Sequence, residues 1–191
     1  MSYPEIEFEL SAEQYNAMGC PGLKQGDVLN IVLDVGVLLP DLAADSWFTV
    51  QPEPIASQMI QVGPAHYTFS GQIQAADIIA EEGIQTATVQ VQCGDIPLRA
   101  ICAPQDDGLL PFGTWETRYL TGISRIQGIA EEAFITPIGH PVDVTLWGFR
   151  RLILKPGDPV FGQWHETDEL AASPYEYDRV MVKAHVHVHK A

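Results

Sequence analysis

The chain has 191 residues, a mass of 21.0 kDa and a pI of about 4.5, and its 25 acidic and 10 basic residues give a formal net charge of −15. With 46% apolar and 18% charged residues, the composition is that of a globular protein and excludes a disordered or fibrous chain. Binding to nucleic acid or to an anionic membrane surface needs clustered Lys and Arg. We therefore expect neither nucleic acid nor a membrane as a partner.

The first ten residues alternate acidic with apolar side chains and lack the basic start and apolar stretch of a secretory signal. The most apolar run, residues 28–39, contains Asn30 and Asp34. It is much shorter than the ~20 residues that a membrane-spanning helix needs. The sequence therefore predicts a cytoplasmic protein, although a virion or phage component would show the same pattern.

Alternation of apolar and polar residues predicts strands along much of the chain. In residues 28–39 the odd positions are all apolar, whereas Asn30 and Asp34 lie on the opposite face. Each alternating segment predicts a strand with one buried and one water-facing side, which favours antiparallel pairing. The same alternation recurs at 67–73, 87–93, 142–146 and 180–188.

Gly94-Asp95 separates two of these patterns and suits a two-residue hairpin turn in which Gly94 supplies a positive φ. The hairpin then pairs Cys93 with Ile96, Val91 with Leu98, Val89 with Ala100 and Ala87 with Cys102. All four pairs are apolar, and a slip of one residue would separate them onto opposite faces.

The chain has three cysteines, Cys20, Cys93 and Cys102, and an odd count in a chain of this length does not indicate a disulfide framework. The cysteines also have no CxxC metal spacing. In the predicted hairpin Cys93 and Cys102 lie roughly 20 Å apart, beyond the ~7 Å Cα limit for a disulfide. We therefore expect both to be reduced core thiols, and Cys20 to lie in a loop.

Helices are few. The capping pattern Ser11-Ala12-Glu13-Gln14, with Gly19 as a stop, predicts a short helix over 12–18. Residues 74–82 and 168–172 could each form another short one. The tetrapeptide Ile-Ala-Glu-Glu occurs at 79–82 and again at 129–132. A duplicated strand-hairpin unit, over about 64–112 and 113–160, or chance would explain the recurrence.

These elements predict one all-β domain over 1–191, mainly antiparallel, with one to three short helices. Its architecture is a β-barrel or a two-layer β-sandwich. The glycine-containing strand at 115–129 is similar to the first strand of oligonucleotide-binding (OB) barrels, so an OB-like barrel is one form of this fold. The similarity concerns the fold and implies no ligand.

His185, His187 and His189 alternate along the last predicted strand, so their imidazoles share one face. His185 and His187 form a His-x-His pair that could bind one divalent metal if a further ligand joined them. His140, His165, Glu166 and Asp168 are candidates for that ligand. The alternative is a water-facing strand side near the chain terminus.

Trp147 lies on the polar side of its predicted strand. An aromatic ring there indicates a subunit interface, a covering loop or a ligand platform. The neighbouring Arg150 and Arg151 form a basic doublet in an acidic chain. They could receive a carboxylate from a partner subunit, or remain a solvated pair.

The sequence contains no catalytic or nucleotide-binding fingerprint and identifies no catalytic residue. The favoured interpretation is a non-catalytic structural or interaction protein that forms a homo-oligomer or binds a protein partner through sheet faces and edges. A metal-binding protein or metal-dependent enzyme that uses His185 and His187 is the first alternative. A small-ligand-binding β-barrel is the second, and neither a resident cofactor nor a particular ligand is predicted.

Overall fold

The computed structural model describes residues 3–17, 22–35, 47–102, 115–130, 138–170 and 178–188. These residues contain one helix, α1 (Ala12–Ala17), and are otherwise mostly strand. The eleven strands are β1 (Glu5–Glu9), β2 (Val28–Val35), β3 (Phe48–Gln51), β4 (Gln58–Gly63), β5 (His66–Glu81), β6 (Ile84–Cys93), β7 (Ile96–Cys102), β8 (Tyr119–Ala130), β9 (Val142–Leu152), β10 (Trp164–Thr167) and β11 (Arg179–Val186).

Eight of the strands close into a barrel, in the order β9, β11, β1, β8, β5, β6, β7, β2 and back to β9. The other three lie outside this ring, with β3 on β8, β4 on β5 and β10 on β9. Nearly all pairings are antiparallel, and the parallel ones are β1 with β8 and β2 with β7. The predicted all-β, mainly antiparallel barrel is therefore confirmed.

Strands β2 and β8 also pair with each other, through Ile31–Val35 and Ile126–Ala130. This ladder divides the ring into two closed circuits of five strands that share β2 and β8. Two glycines of β8 leave space for core aromatic rings that pack directly against the strand. A Cβ at Gly122 would lie 2.8 Å from Phe69 Cζ, and one at Gly128 would lie 2.7 Å from the Phe8 ring.

The hairpin of β6 and β7 has the predicted register, with Cys93 opposite Ile96 and Ala87 opposite Cys102. Gly94 has the expected positive φ of 63°. Alternation also identified the core side of the other predicted strands. The buried residues on that side include Leu29, Ile31, Leu33, Val35, Tyr67, Phe69, Ile73, Val144, Leu146, Val180, Val182 and Val186.

Helix α1 begins where predicted, because the backbone N–H of Gln14 donates to Ser11 Oγ at 3.1 Å. The helix predicted at 74–82 is wrong. These residues continue β5, whose Ile79 pairs with Thr86 across a turn at Glu82 and Gly83, both with positive φ. Of the helix predicted at 168–172, the described residues 168–170 instead contain a β-bridge between Glu169 and Lys24.

The prediction that Asp34 faces water is also wrong. Asp34 is 2% exposed and accepts hydrogen bonds from Arg99, at 2.7 Å from Nη2 and 3.2 Å from Nε. A Cβ at Gly139 would lie 3.4 Å from Val32 and 3.6 Å from Arg99, so segment 138–140 covers this outer side of the barrel. Burial raises the pKa of Asp34, and the hydrogen bonds and charge of Arg99 act against that rise.

The proposed duplication remains a prediction, since residues 103–114 and 131–137 of its two units lie outside the described residues. Val37 and Leu39 of the first predicted long strand also lie outside them. No helix in the described part of the chain has the length and apolar character to cross a membrane.

Candidate interaction surface

The outer side of β1, β11, β9 and β10 is rich in charged and aromatic residues, and we call it the charged face. Strand β1 places Glu5 opposite His185 and Glu7 opposite Lys183 of β11. Of the site residues predicted from sequence, Trp147, Arg150, Glu166 and His185 lie on this face. Its members are Glu5, Glu7, Glu9, Trp147, Arg150, Trp164, Glu166, Arg179, Lys183 and His185.

Glu7 is the most enclosed carboxylate of the charged face, with a side chain 5% exposed. Arg150 donates to it through Nη2 at 2.6 Å and Nε at 2.9 Å. The Gln61 amide and the Ala65 backbone N–H each donate to Glu7 Oε1 at 2.9 Å. The Glu7 N–H donates to the Tyr67 hydroxyl, and burial raises the pKa of Tyr67 to about 12. Glu7 therefore joins β1, β9 and the β4–β5 turn.

Arg151 and Arg179 also bind carboxylates of the same chain. Arg151 Nε donates to Asp178 at 2.7 Å, and the Leu154 N–H donates to the other oxygen of Asp178, also at 2.7 Å. Arg179 donates to both oxygens of Glu9, at 3.0 and 3.1 Å. The carboxylates that reach the Arg150–Arg151 doublet are therefore Glu7 and Asp178, whereas the sequence suggested a carboxylate from a partner subunit. An interface role for Trp147, Arg150 and Arg151 stays a prediction.

Trp147 lies at a β-bulge, because Gly148 pairs with Lys183 and Leu146 pairs with Ala184. Its ring stacks on His185 with centroids 6.1 Å apart, and Lys183 Nζ lies 5.2 Å from its centroid. Its Nε1 is buried and has no hydrogen-bond partner among the described residues. With His185 and Lys183 both against the Trp147 ring, the chain itself already covers much of the predicted platform.

Lys183 links Trp147 to strand β10. Its Nζ donates to Glu166 Oε1 at 2.9 Å, and this hydrogen bond lowers the pKa of the Glu166 carboxyl. Arg150 Cζ lies 5.6 Å from the centroid of Trp164. Glu166 was a candidate metal ligand, but in the structure it binds a cation of the same chain.

The two histidines predicted to bind metal have different partners. His185 Nδ1 lies 4.0 Å from Glu5 Oε1, whereas His187 Nε2 lies 2.6 Å from the Thr145 hydroxyl oxygen. His187 also contacts the Tyr3 ring, at 5.5 Å between centroids. No group of three His, Cys, Asp or Glu residues suited to a metal occurs in the described residues. His189 lies outside them, so the His185–His187 metal site remains a prediction.

Cys93 and Cys102 are buried and unbridged, as predicted. Burial raises the pKa of each thiol to about 12, which makes both poor nucleophiles near neutral pH. Cys20 lies outside the described residues.

The outer side of β4, β5 and β8 has the opposite character, and we call it the apolar face: Ile60, Val62, Thr68 and Ile123. Ile60 and Val62 are each 53% exposed, and Ile123 is 45% exposed. Thr68 of β5 pairs with Ile60 on one side and Ile123 on the other, so Ile60, Thr68 and Ile123 form a row across three strands. The only sequence signal for this surface is the lack of charge in segment 58–63.

A pocket of about 310 Å³ borders the start of β4. Pro4 and Glu5 line one part of it, Met59 and Tyr67 another, and the turn before Ile96 a third. The lining includes two exposed carboxylates, Glu5 and Asp95, and no basic residue from the part of the chain that the structure describes.

Comparison with known proteins found no matching protein-family model, no matching curated protein and no matching solved structure. The two contrasting outer surfaces are therefore the features from which a function can be inferred.

Proposed function

We propose that this protein is a non-catalytic structural protein that assembles with further copies of itself through the apolar face. The observation that carries the proposal is the row of Ile60, Thr68 and Ile123 across β4, β5 and β8, with both isoleucines about half exposed. Aliphatic side chains grouped on an outer sheet surface are typical of an interaction site, because their burial removes apolar area from water.

The arrangement of charge supports the same conclusion. The chain carries a net charge of −15, so two copies repel each other over most of their surfaces. Segment Gln58–Gly63 contains no charged residue, and Ile123 lies two strands away in the same row. The apolar face therefore offers a second copy a contact area with little direct repulsion.

The state of the buried polar groups supports a structural role. Glu7 pairs with Arg150, Asp34 with Arg99 and Asp178 with Arg151, each at hydrogen-bonding distance. Such bidentate or multiply bonded pairs hold strands together. The buried thiols Cys93 and Cys102, with pKa values of about 12, also suit a packing role.

The proposal is tested by light scattering and sedimentation of the purified protein over a wide range of concentration. We expect a mass that rises above the monomer mass of 21.0 kDa with concentration. The double variant Ile60→Thr/Ile123→Thr should stay monomeric, because threonine keeps β-branching and removes apolar surface. A wild-type protein that stays monomeric throughout would overturn the proposal.

Ile84→Thr is the matched control. Ile84 is 56% exposed but lies at the tip of the β5–β6 hairpin, opposite Glu81. Glu81 at the tip lies eleven residues along β5 from Ser70, the partner of the first β4 residue, Gln58. At the rise of a strand this separates the tip from β4 by roughly 36 Å. Association that survives the double variant but disappears in Ile84→Thr would move the interface to the hairpin and contradict the proposal.

A further inference from the structure

Strand β4 is the last strand at one end of the sheet order, and among the described strands it pairs only with β5. Its other edge therefore presents backbone N–H and C=O groups without a strand partner in the described chain. Proteins usually protect such an edge with charges, proline or very short length. Strand β4 has six residues, Gln58–Gly63, and contains neither charge nor proline.

Strand β10, at the opposite end of the sheet order, shows the protection that β4 lacks. It has only four residues, Trp164–Thr167, and carries His165 and Glu166. Strand β3, the third strand outside the barrel ring, is uncharged but has only four residues, so its short length protects its edge. The greater length of β4 and its lack of charge together mark it as the edge able to accept another strand.

We infer that the occupant of this edge is β4 of a second copy, joined antiparallel about a two-fold axis; the inference rests on the proposed function and specifies its geometry. Two identical strands can pair this way because every residue then meets its symmetry-related partner across one axis. With the axis at Ile60, Ile60 faces its counterpart, Gln58 faces Val62, and Met59 faces Gln61. No charged residue enters the ladder.

This geometry also explains why the apolar row ends at β4. Ile123, Thr68 and Ile60 occupy neighbouring strands in register. Pairing at β4 continues the sheet into the second copy and places the Ile60 side chains of the two copies next to each other at the junction. Ile123 lies two strands from the junction and makes no contact across it. The β4 ladder is short, so we expect a concentration-dependent dimer.

The arrangement is tested with single cysteines introduced in a Cys20→Ser background and oxidised at a concentration where light scattering detects the dimer. Ile60→Cys should form a covalent dimer, since opposite residues in an antiparallel pair have Cα atoms about 5 Å apart. Ile123→Cys should not, because five strand spacings, about 24 Å, separate it from its counterpart. Cys93 and Cys102 are buried and can stay in place.

Ile84→Cys measures cross-linking by random collision, because Ile84 is as exposed as Ile60. Efficient cross-linking of Ile123→Cys, with none for Ile60→Cys above the Ile84→Cys level, would mean face-to-face packing. That result would overturn edge pairing and leave self-assembly intact. Failure of both cysteines to cross-link in a preparation that is dimeric would also overturn edge pairing, whereas a monomeric wild type would overturn the proposed function itself.

Salt gives an independent check. Added salt should strengthen association, because the interface contains no ion pair and salt screens the repulsion between two copies of net charge −15. Weakening by salt would indicate an interface built from charged residues, which contradicts pairing through β4.

Discussion

The charged face and the apolar face are both outer surfaces of one barrel, but their side chains differ in whether they have partners within the chain. On the charged face, Glu7 and Glu9 each bind an arginine of the same chain, and Lys183 binds Glu166. On the apolar face, Ile60 and Ile123 remain about half exposed. Charges can find complementary partners within a single chain, whereas an aliphatic row is covered only by another surface.

The distribution of basic residues sharpens this contrast. Of the ten Lys and Arg residues, at least six are held in ion pairs within the chain: Arg99, Arg125, Arg150, Arg151, Arg179 and Lys183. The few cations of this acidic chain therefore join strands, and much of the acidic charge is left without a cation of the same chain. An uncharged face is then the surface through which two copies can approach most easily.

The largest effect on stability is expected from Glu7→Ala on the charged face. The substitution leaves Arg150 and the Ala65 N–H without their acceptor, whereas the Gln61 amide keeps a second acceptor in the Gly63 carbonyl. Breaking a buried ion pair costs 3–5 kcal/mol, and because Arg150 is 26% exposed we expect about 3 kcal/mol. Chemical denaturation measures the change.

Glu5→Ala is the control for Glu7→Ala, because Glu5 lies on the same strand and face but its side chain is 66% exposed. It should change the free energy of unfolding by less than about 0.5 kcal/mol. Equal losses for the two variants would mean that β1 responds to any lost carboxylate, and that Glu7 has no special role in joining β1 to β9.

A smaller effect is expected from Arg150→Lys, which keeps the charge but removes the two-pronged contact with Glu7 and the guanidinium over Trp164. We expect a loss of about 1.5 kcal/mol in the free energy of unfolding. Arg118→Lys is the matched control, since no ion pair of its side chain occurs among the described residues. An unchanged stability in Arg150→Lys would show that charge alone holds Glu7.

Alternation alone predicted the core side of several strands, whereas register was predicted only where a second local signal agreed with it. The β6–β7 register followed because turn chemistry at Gly94 and the apolar pattern both required Cys93 opposite Ile96. At 74–82 no second local signal supported the predicted helix. These residues instead form a strand because they pair with β6. Predicting that outcome required knowledge that Glu82 and Gly83 form a hairpin turn.

The candidate surface depended on contacts between distant residues and was therefore mostly missed. Glu7 and Arg150 are 143 positions apart, and Asp34 and Arg99 are 65 apart. A carboxylate in an alternating pattern is normally assigned to water, so the burial of Asp34 could not be inferred without Arg99. Ile60 and Ile123 are the opposite case, because an aliphatic residue in a strand is normally assigned to the core, yet both are about half exposed.

The smallest effect on stability is expected on the apolar face, from Ile123→Thr in dilute monomeric protein. Ile123 is 45% exposed, so it contacts little of its own chain, and the free energy of unfolding should change by less than about 0.5 kcal/mol. The same substitution at Ile126, three positions along β8 and fully buried, should cost about 2 kcal/mol because it removes core contacts and buries a hydroxyl. If Ile123→Thr cost as much as Ile126→Thr, the apolar face would have to be packed against the chain itself, and its difference from the charged face would disappear. A small loss at Ile123 would instead show that folding of the barrel does not depend on this surface.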